Sequence, residues 1–272
     1  MSLALVFATL IGVFITPDGI VVGSDTAMMS RRGPEPARQK YCVTGLRTVA
    51  TMQGVYELTD TETKATIALH DHFLDFCAKI DRTQLPATLR GQAEYIAGEL
   101  GLGLTAFLKS IPAADIVSHY SSNPVVARVA VSGFDQDGRA ASVVVGIGIA
   151  TDAPTNRWVV QVRDLSSLTF RDCGVRFHGQ EVVAMSLMRG SDARVPAAER
   201  QKPEVQQLSA LMAGSCSDAS IRSAPAMFTE ATRLTMMHGA GFGIAPGVVN
   251  FPIDIVVIPR IGKIEVSRIN SW

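Results

Sequence analysis

The chain has 272 residues, of which 47% are hydrophobic, enough to form the core of one large domain or two small ones. Its 25 basic and 25 acidic residues give a formal net charge of zero, so no long-range field favours nucleic acid or an anionic membrane. The uncharged, mostly apolar run at residues 1–15 is shorter than the roughly 20 apolar residues that span a bilayer. We therefore predict neither a nucleic-acid partner nor a membrane span.

The segment before Thr9 is open to two interpretations. Residues 1–8 fit the tail of a secretory signal, because Val6-Phe7-Ala8 places a small residue last before a cleavage site. They fit a short propeptide or strand extension equally well. We predict that residues 1–8 are removed and that residues 9–272 form one domain. The predicted location is cytoplasmic, or secreted or periplasmic if residues 1–8 end a signal peptide.

The first sixty residues are predicted to form four strands. Thr9 begins an apolar strand pattern, and Pro17-Asp18-Gly19 has the residues of a hairpin turn. A second strand ends at Asp25, a third begins near Lys40, and Gly54 closes a fourth. The predicted bounds are Thr9–Ile15, Ile20–Asp25, a short strand from Lys40, and Thr48–Met52.

The rest of the chain alternates between helical and strand periodicity. Two long helices are predicted first, one capped by Thr59 or Asp60 and running through Lys79, the other at Ala87–Ser110. The later elements are strands at 125–134, 141–149 and 158–163, helices at 182–188, 204–213 and 226–238, and strands at 253–259 and 263–269; residues 113–124 and 189–203 are predicted loops. Two sheets packed face to face with helices outside would bury these patterns, which predicts an α+β, four-layer αββα sandwich.

The order of these features resembles the proteasome β-subunit family of N-terminal-nucleophile (Ntn) hydrolases, threonine type. That family has a threonine opening the first strand, an aspartate after the second, a lysine heading the third and a glycine ending the fourth. The matching residues here are Thr9, Asp25, Lys40 and Gly54. The last two fall one residue early, consistent with a single deletion in residues 28–39. The resemblance implies the same four-layer αββα fold.

The resemblance also implies a chemistry. Thr9 would be the nucleophile and, through its α-amine, the general base. Lys40 would lower the pKa of that amine, Asp25 would orient Lys40, and the Gly54 N–H would donate to the oxyanion. The chain would be a zymogen, because autocatalytic cleavage after Ala8 must first free the amine. We predict hydrolysis of a peptide bond through an acyl-threonine ester, without a cofactor or metal.

Two parts of the family pattern are missing, which leaves two alternatives open. The family has a serine where this chain reads His178-Gly179-Gln180, and we consider Gln180 a candidate substitute for one hydrogen bond. The loop at residues 238–243 lacks the family's aspartate and serine. The alternatives are an amidase of the same fold acting on a small amide, and an inactive, proteasome-like structural subunit. Predicted partners are therefore a peptide or small amide and further copies of the chain.

Other candidate sites are weaker. His70 and His72 lie two apart on a predicted helix, so we expect them on different faces and not as a metal pair. Asp135-Gln136-Asp137-Gly138 opens like a calcium loop, but no glutamate stands at the twelfth position, and we predict a hairpin turn. Gly146-x-Gly148 lies within a strand pattern and lacks a third glycine, which excludes a dinucleotide site.

The cysteines are few and scattered, with no C-x-x-C pair. Because a core of this size needs no cross-links, we expect buried or free thiols at all four positions. They are Cys42, Cys77, Cys173 and Cys216.

Overall fold

The computed structural model describes residues 9–30, 33–35, 38–54, 57–59, 65–109, 125–152, 157–169, 173–179, 181–189, 193–244 and 247–271. The strands are β1 (Leu10–Thr16), β2 (Gly19–Asp25), β3 (Met28–Ser30), β4 (Gly33–Glu35), β5 (Tyr41–Val43), β6 (Thr48–Gly54), β7 (Glu57–Thr59), β8 (Thr66–Ala68), β9 (Val125–Phe134), β10 (Ala140–Asp152), β11 (Arg157–Thr169), β12 (Gly174–Gly179), β13 (Ile253–Pro259) and β14 (Glu265–Ile269). The helices are α1 (Leu69–Lys79), α2 (Leu89–Leu108), α3 (Val182–Arg189), α4 (Ala197–Arg200), α5 (Pro203–Met212) and α6 (Ala224–His238), followed by a 3-10 helix (Gly239–Phe242).

Most of the strands belong to two five-stranded antiparallel sheets. The first sheet has the order β12-β1-β2-β13-β14, and the second has the order β11-β10-β9-β6-β5. Two short hairpins, β3-β4 and β7-β8, stand apart from them. The hairpin predicted at residues 17–19 joins β1 to β2, with Thr16 paired to Gly19.

Three buried clusters define the layers. One joins α1 and α2 to the outer face of the second sheet, and another joins α3, α5 and α6 to the outer face of the first. The third, which we call the inter-sheet cluster, lies between the sheets and comprises Ile11, Val13, Ile15, Ile20, Val22, Val49, Phe134, Ala140, Val256 and Ile258. This arrangement confirms the predicted α+β, four-layer αββα sandwich. Among the described helices, none is long and apolar enough to cross a membrane.

Several predicted elements differ from those observed. Helix α1 begins at Leu69 rather than after Thr59 or Asp60, because Thr59 and the β-branched Thr66-Ile67 pair form the β7-β8 hairpin. Strand β12 was not predicted: it is short, begins and ends with glycine, and its Arg and His interrupt the apolar pattern. The loop predicted at residues 189–203 contains α4, and the loop predicted at 113–124 lies outside the described residues.

The expectation of buried or free thiols is wrong. Cys42 in β5 forms a disulfide with Cys77 in α1, and Cys173, just before β12, forms one with Cys216, after α5. The partners are 35 and 43 residues apart in sequence, yet packing brings each pair of Cα atoms to 5.7 Å. Sequence spacing alone could not reveal these contacts. Each disulfide joins one sheet to the helical layer on its own side.

Close packing of α6 on the first sheet depends on glycines beneath an aromatic cluster. Phe14 contacts Phe177 and Phe228 edge to face, with ring centroids 5.7 Å and 6.4 Å away. A Cβ atom on Gly12 would lie 2.7 Å from the Phe228 ring, and one on Gly23 would overlap that ring. These two glycines therefore set how closely α6 approaches β1 and β2.

We predict that Gly23→Ala lowers the free energy of unfolding by about 1–3 kcal/mol, because the added methyl group displaces Phe228 from a filled core. Gly98→Ala is the control: it lies in α2 with no atom within 4 Å of the added Cβ, and we expect a gain of about 0.5–1 kcal/mol. Urea unfolding of both variants measures the difference. Equal stabilities would contradict the packing described.

Candidate active site

Thr9 lies directly before β1 and is almost fully buried, with 5% of its surface exposed. The alternation of β1 places it on the same face as Ile11 and Val13, which belong to the inter-sheet cluster. Its backbone runs beside Gly179 at the end of β12, whose partner in the sheet is Leu10. A Cβ atom at Gly179 would overlap the Thr9 carbonyl oxygen, and Gly179 has a positive φ of +85°. Only glycine fits beside Thr9 at this point.

Asp25 and Lys40 form a buried ion pair next to Thr9. The Lys40 Nζ donates to Asp25 Oδ1 at 3.1 Å and to the Ala27 carbonyl at 2.6 Å. The same Oδ1 accepts a hydrogen bond from the Leu10 backbone N–H at 2.7 Å. The side chains of Asp25 and Lys40 are 0% and 1% exposed. The structure thus brings together two of the predicted residues and ties them to the residue after Thr9.

Burial dominates the electrostatics of this pair. It raises the pKa of Asp25 above its usual value, opposed by the charge of Lys40 and the Leu10 hydrogen bond. It lowers the pKa of the Lys40 ammonium, opposed chiefly by Asp25 and at longer range by Asp254. Neither charge is stable in this interior without the other.

The backbone fixes Lys40 from both sides. Its carbonyl accepts from the Met52 N–H of β6 at 3.2 Å, which begins the pairing of β5 with β6. Two residues earlier, the Arg38 N–H donates to the Thr26 carbonyl at 3.0 Å. The lysine is therefore held between the second sheet and the segment that follows β2.

Gly54 ends β6, as predicted, and has a structural requirement of its own. Its φ is +126°, and a Cβ atom there would lie 2.5 Å from the Val126 carbonyl oxygen and 2.6 Å from Ala127 Cα. Gly54 pairs with Ala127 of β9. Close packing against β9 is sufficient to explain why this residue is glycine.

The weaker candidates fall where the sequence indicates. His70 is buried and His72 exposed, on different faces of α1. Residues 135–138 form the β9-β10 turn, in which Asp135 Oδ1 accepts from the Asp137 and Arg139 N–H groups at 2.9 and 2.8 Å. Gly146 and Gly148 lie within β10. Gln180 lies outside the described residues, and within those residues no group of three or more potential ligands is arranged for a metal ion.

Sequence reasoning missed several polar residues on the strand faces that are directed toward the opposite sheet. Gln53 and Arg128 lie opposite each other on β6 and β9, and Arg176 and His178 lie on β12. Asp254, on β13, is buried and accepts two hydrogen bonds from Arg268 at 2.6 and 2.9 Å. The one available signal was a polar residue at an inward position of a strand pattern, as in Ile253-Asp254-Ile255.

We predict that Asp25→Leu lowers the free energy of unfolding by about 3–5 kcal/mol, because it leaves the Lys40 ammonium buried without its carboxylate. Adding Lys40→Met to that variant restores part of the loss, so the two single effects are not additive in urea unfolding. The exposed pair Asp75 and Lys79 is the control, and Asp75→Leu should cost under about 1 kcal/mol. Additive effects at Asp25 and Lys40 would show that the pair is not coupled.

Two buried histidines predict acid sensitivity. Burial, with nearby arginine or lysine charges, lowers the pKa of His178 to about 3 and that of His70 to about 4. Unfolded histidines bind protons below about pH 6.5. Stability is therefore complete above that pH and falls as the pH drops toward the folded-state values, by up to about 1.4 kcal/mol per pH unit for each histidine.

Urea unfolding between pH 7 and pH 5 tests this. We expect His178→Asn to remove the contribution of one histidine to the pH slope. An unchanged slope in His178→Asn would show that folding does not lower the pKa of His178.

Comparison with known proteins finds solved structures of similar fold but no match by sequence. No protein-family model and no curated protein matches the chain. Among solved structures, it is similar to Anbu (ancestral beta-subunit) from Yersinia bercovieri, with a TM-score of 0.52 and 10% identity over 96% of this chain and 87% of that one. It is also similar to the Anbu complex from Pseudomonas aeruginosa, described as a helical assembly, with a TM-score of 0.53 and 12% identity over 96% and 86% of the two chains.

A third structure agrees with these two. The Gly-1 mutant of Anbu from Hyphomicrobium sp. strain MC1 matches with a TM-score of 0.50 and 13% identity, over 96% of this chain and 88% of that one. At such identities the likeness establishes the fold and nothing finer. The chain has the Ntn-hydrolase fold of the proteasome β-subunits, as its first sixty residues predict.

Proposed function

We propose that the chain is a threonine-type N-terminal hydrolase that cleaves peptide bonds through an acyl-threonine ester, once residues 1–8 have been removed. The observation that carries this proposal is the buried ion pair of Asp25 and Lys40 beside the start of β1, in a proteasome-like fold. A buried ion pair gives little net stability, since well-packed apolar residues often replace one at no cost. Its presence next to Thr9 supports a chemical role.

In the proposed reaction Thr9 supplies both nucleophile and base. The freed α-amine of Thr9 takes the proton from Oγ, which attacks the substrate carbonyl carbon. The amine and Oγ belong to one residue, so their geometry is largely fixed in advance. The carbon–nitrogen bond breaks, the leaving amine takes the proton, and water then hydrolyses the ester that remains.

The ion pair prepares Thr9 for this reaction. The positive charge of Lys40 lowers the pKa of the Thr9 amine and so keeps it unprotonated near neutral pH. Asp25 holds Lys40 in place and, through the Leu10 N–H, holds the backbone directly after Thr9. The backbone N–H of Gly54 is the proposed donor to the oxyanion.

A specific observation favours a second candidate, an inactive structural subunit. The family's serine is absent at residues 178–180, and its aspartate and serine are absent at residues 238–243. In the structure, residues 238–243 comprise the end of α6 and the 3-10 helix that follows it. The P. aeruginosa structure is named as a helical assembly of a complex, and we propose that this chain also self-associates. Hydrolysis of a small amide differs from the main proposal only in the substrate.

The disulfides bear on location. Two disulfides are typical of proteins that fold in an oxidising compartment. They favour the secreted or periplasmic location.

The N-terminus of the purified protein tests the proposal. We predict that the natural chain begins at Thr9 and that Thr9→Ala retains residues 1–8, because the chain cleaves itself through Thr9; intact mass measures both. The control Thr105→Ala removes a half-buried threonine of α2 and should be processed normally. If both Thr9→Ala and the natural chain begin at residue 9, another protease makes the cut and supports export. If neither is cut in the native host, the hydrolase proposal fails and the structural subunit replaces it.

A further inference from the structure

The side chains that face the space between the two sheets change from apolar to polar near Thr9. Strand pairing sets His178 opposite Ile11 and Arg176 opposite Val13, and directly opposed residues share one face of a sheet. Ile11 and Val13 belong to the inter-sheet cluster, so His178 and Arg176 also face the second sheet. The inter-sheet space is therefore polar at the Thr9 end of β1.

The second sheet also contributes polar residues to this end. Val49 of β6 belongs to the inter-sheet cluster, and alternation puts Gln53 on the same face. Arg128 lies opposite Gln53 on β9 and faces the same way; its side chain is exposed, whereas that of Arg176 is half-buried. We call Gln53, Arg128, Arg176 and His178 the polar end of the inter-sheet space.

Within the described residues, polar atoms of two of these side chains have no hydrogen-bond partner. Gln53 is 5% exposed, and neither its Oε1 nor its Nε2 has a partner; the Nε2 of His178, which is 4% exposed, has none either. A buried polar group without a partner is destabilising, because it has lost its hydrogen bonds to water. A ligand that reaches this end and hydrogen-bonds to Gln53 and His178 would offset that cost.

The charge of the polar end is positive. Burial, together with the charges of Arg176 and Arg128, lowers the pKa of His178 to about 3 and keeps its imidazole neutral. Within the described part of the chain, neither arginine has a carboxylate within 4.0 Å. The charges of both arginines act on the carboxyl group of Glu181, whose pKa is raised by burial. Two positive charges therefore face one carboxyl group, so the polar end can bind a further anion.

The polar end adjoins the proposed reaction centre. His178 precedes Gly179, the residue packed against the Thr9 carbonyl, and Gln53 precedes Gly54. The position of a Cβ on Gly179 would lie 3.2 Å from Gln53 Oε1. Gln53 and His178 thus approach Thr9 from opposite sheets.

We propose that the polar end is a substrate subsite that selects a carboxylate, so that the preferred substrate carries an acidic side chain beside the bond that is cleaved. This inference rests on the proposed hydrolase function. Arginine binds a carboxylate through two parallel N–H···O bonds, and the Gln53 Nε2 supplies a further donor. The inter-sheet cluster fills much of the rest of this space with aliphatic side chains, whose packing requires no arginine.

Paired substrates test the subsite. Each pair consists of two fluorogenic peptides that differ at one residue, which is glutamate in one and glutamine in the other. One pair carries this residue directly before the cleaved bond and a second pair carries it directly after. We expect kcat/KM to favour glutamate at least about tenfold at one position, a difference of about 1.4 kcal/mol. Arg128→Gln and Arg176→Gln should each reduce the ratio, and the double variant should bring it near one. The control Arg139→Gln changes an exposed arginine in the β9-β10 turn and should keep the ratio of the natural chain.

Calorimetric binding separates the subsite from the chemistry. Product-like peptides ending in glutamate or glutamine are titrated into the natural chain and each folded variant. Tighter binding of the glutamate peptide that is lost in the arginine variants supports the subsite even without turnover, in which case the hydrolase proposal alone fails. Turnover with equal rates and equal binding of the two peptides overturns the subsite and leaves the hydrolase proposal standing. For an arginine variant that does not fold, Arg176→Lys provides the test: it keeps the charge but loses the bidentate geometry, and should retain part of the preference.

Discussion

Asp25 and Lys40 meet in the protein interior, where a charge of either sign without its counterpart is unstable. The arrangement around Thr9 follows from this requirement. The carboxylate also accepts the Leu10 N–H, and the ammonium also donates to Ala27, so the pair joins the start of β1 to the chain after β2. The backbone of Lys40 in turn bonds to β6, which belongs to the other sheet. One ion pair thus connects both sheets at the end of β1 where Thr9 lies.

The two sheets make contact through a layer of uneven polarity. Aliphatic residues and Phe134 fill most of it, whereas Gln53, His178 and two arginines occupy the end beside Thr9. Apolar contact supplies the association of the sheets, since it requires no partner for any atom. The polar residues weaken that association locally. Such a local departure from good packing is expected where a protein binds a ligand rather than where it only folds.

Much of the fold could be predicted because its signals are local. The turn at residues 17–19, the alternation in β9 and the helical spacing of α2 each lie within one short stretch. The positions of Asp25 and Lys40 could be predicted from their order and spacing, and the structure brings them together. The disulfides and the pairing of Gln53 with Arg128 could not be predicted, because they depend on the register of strands that are distant in sequence. The start of α1 was misplaced because a hairpin precedes it.

The placement of the disulfides has a consequence for motion. All four cysteines of the chain are paired, one pair within each half of the sandwich, so no disulfide crosses between the sheets. Each half is a cross-linked unit with its own core. Amide protons of the two halves should then exchange with solvent as two separate cooperative groups. A widening between the sheets would admit or release a bound molecule without disturbing the hydrogen-bonded ladder of either sheet.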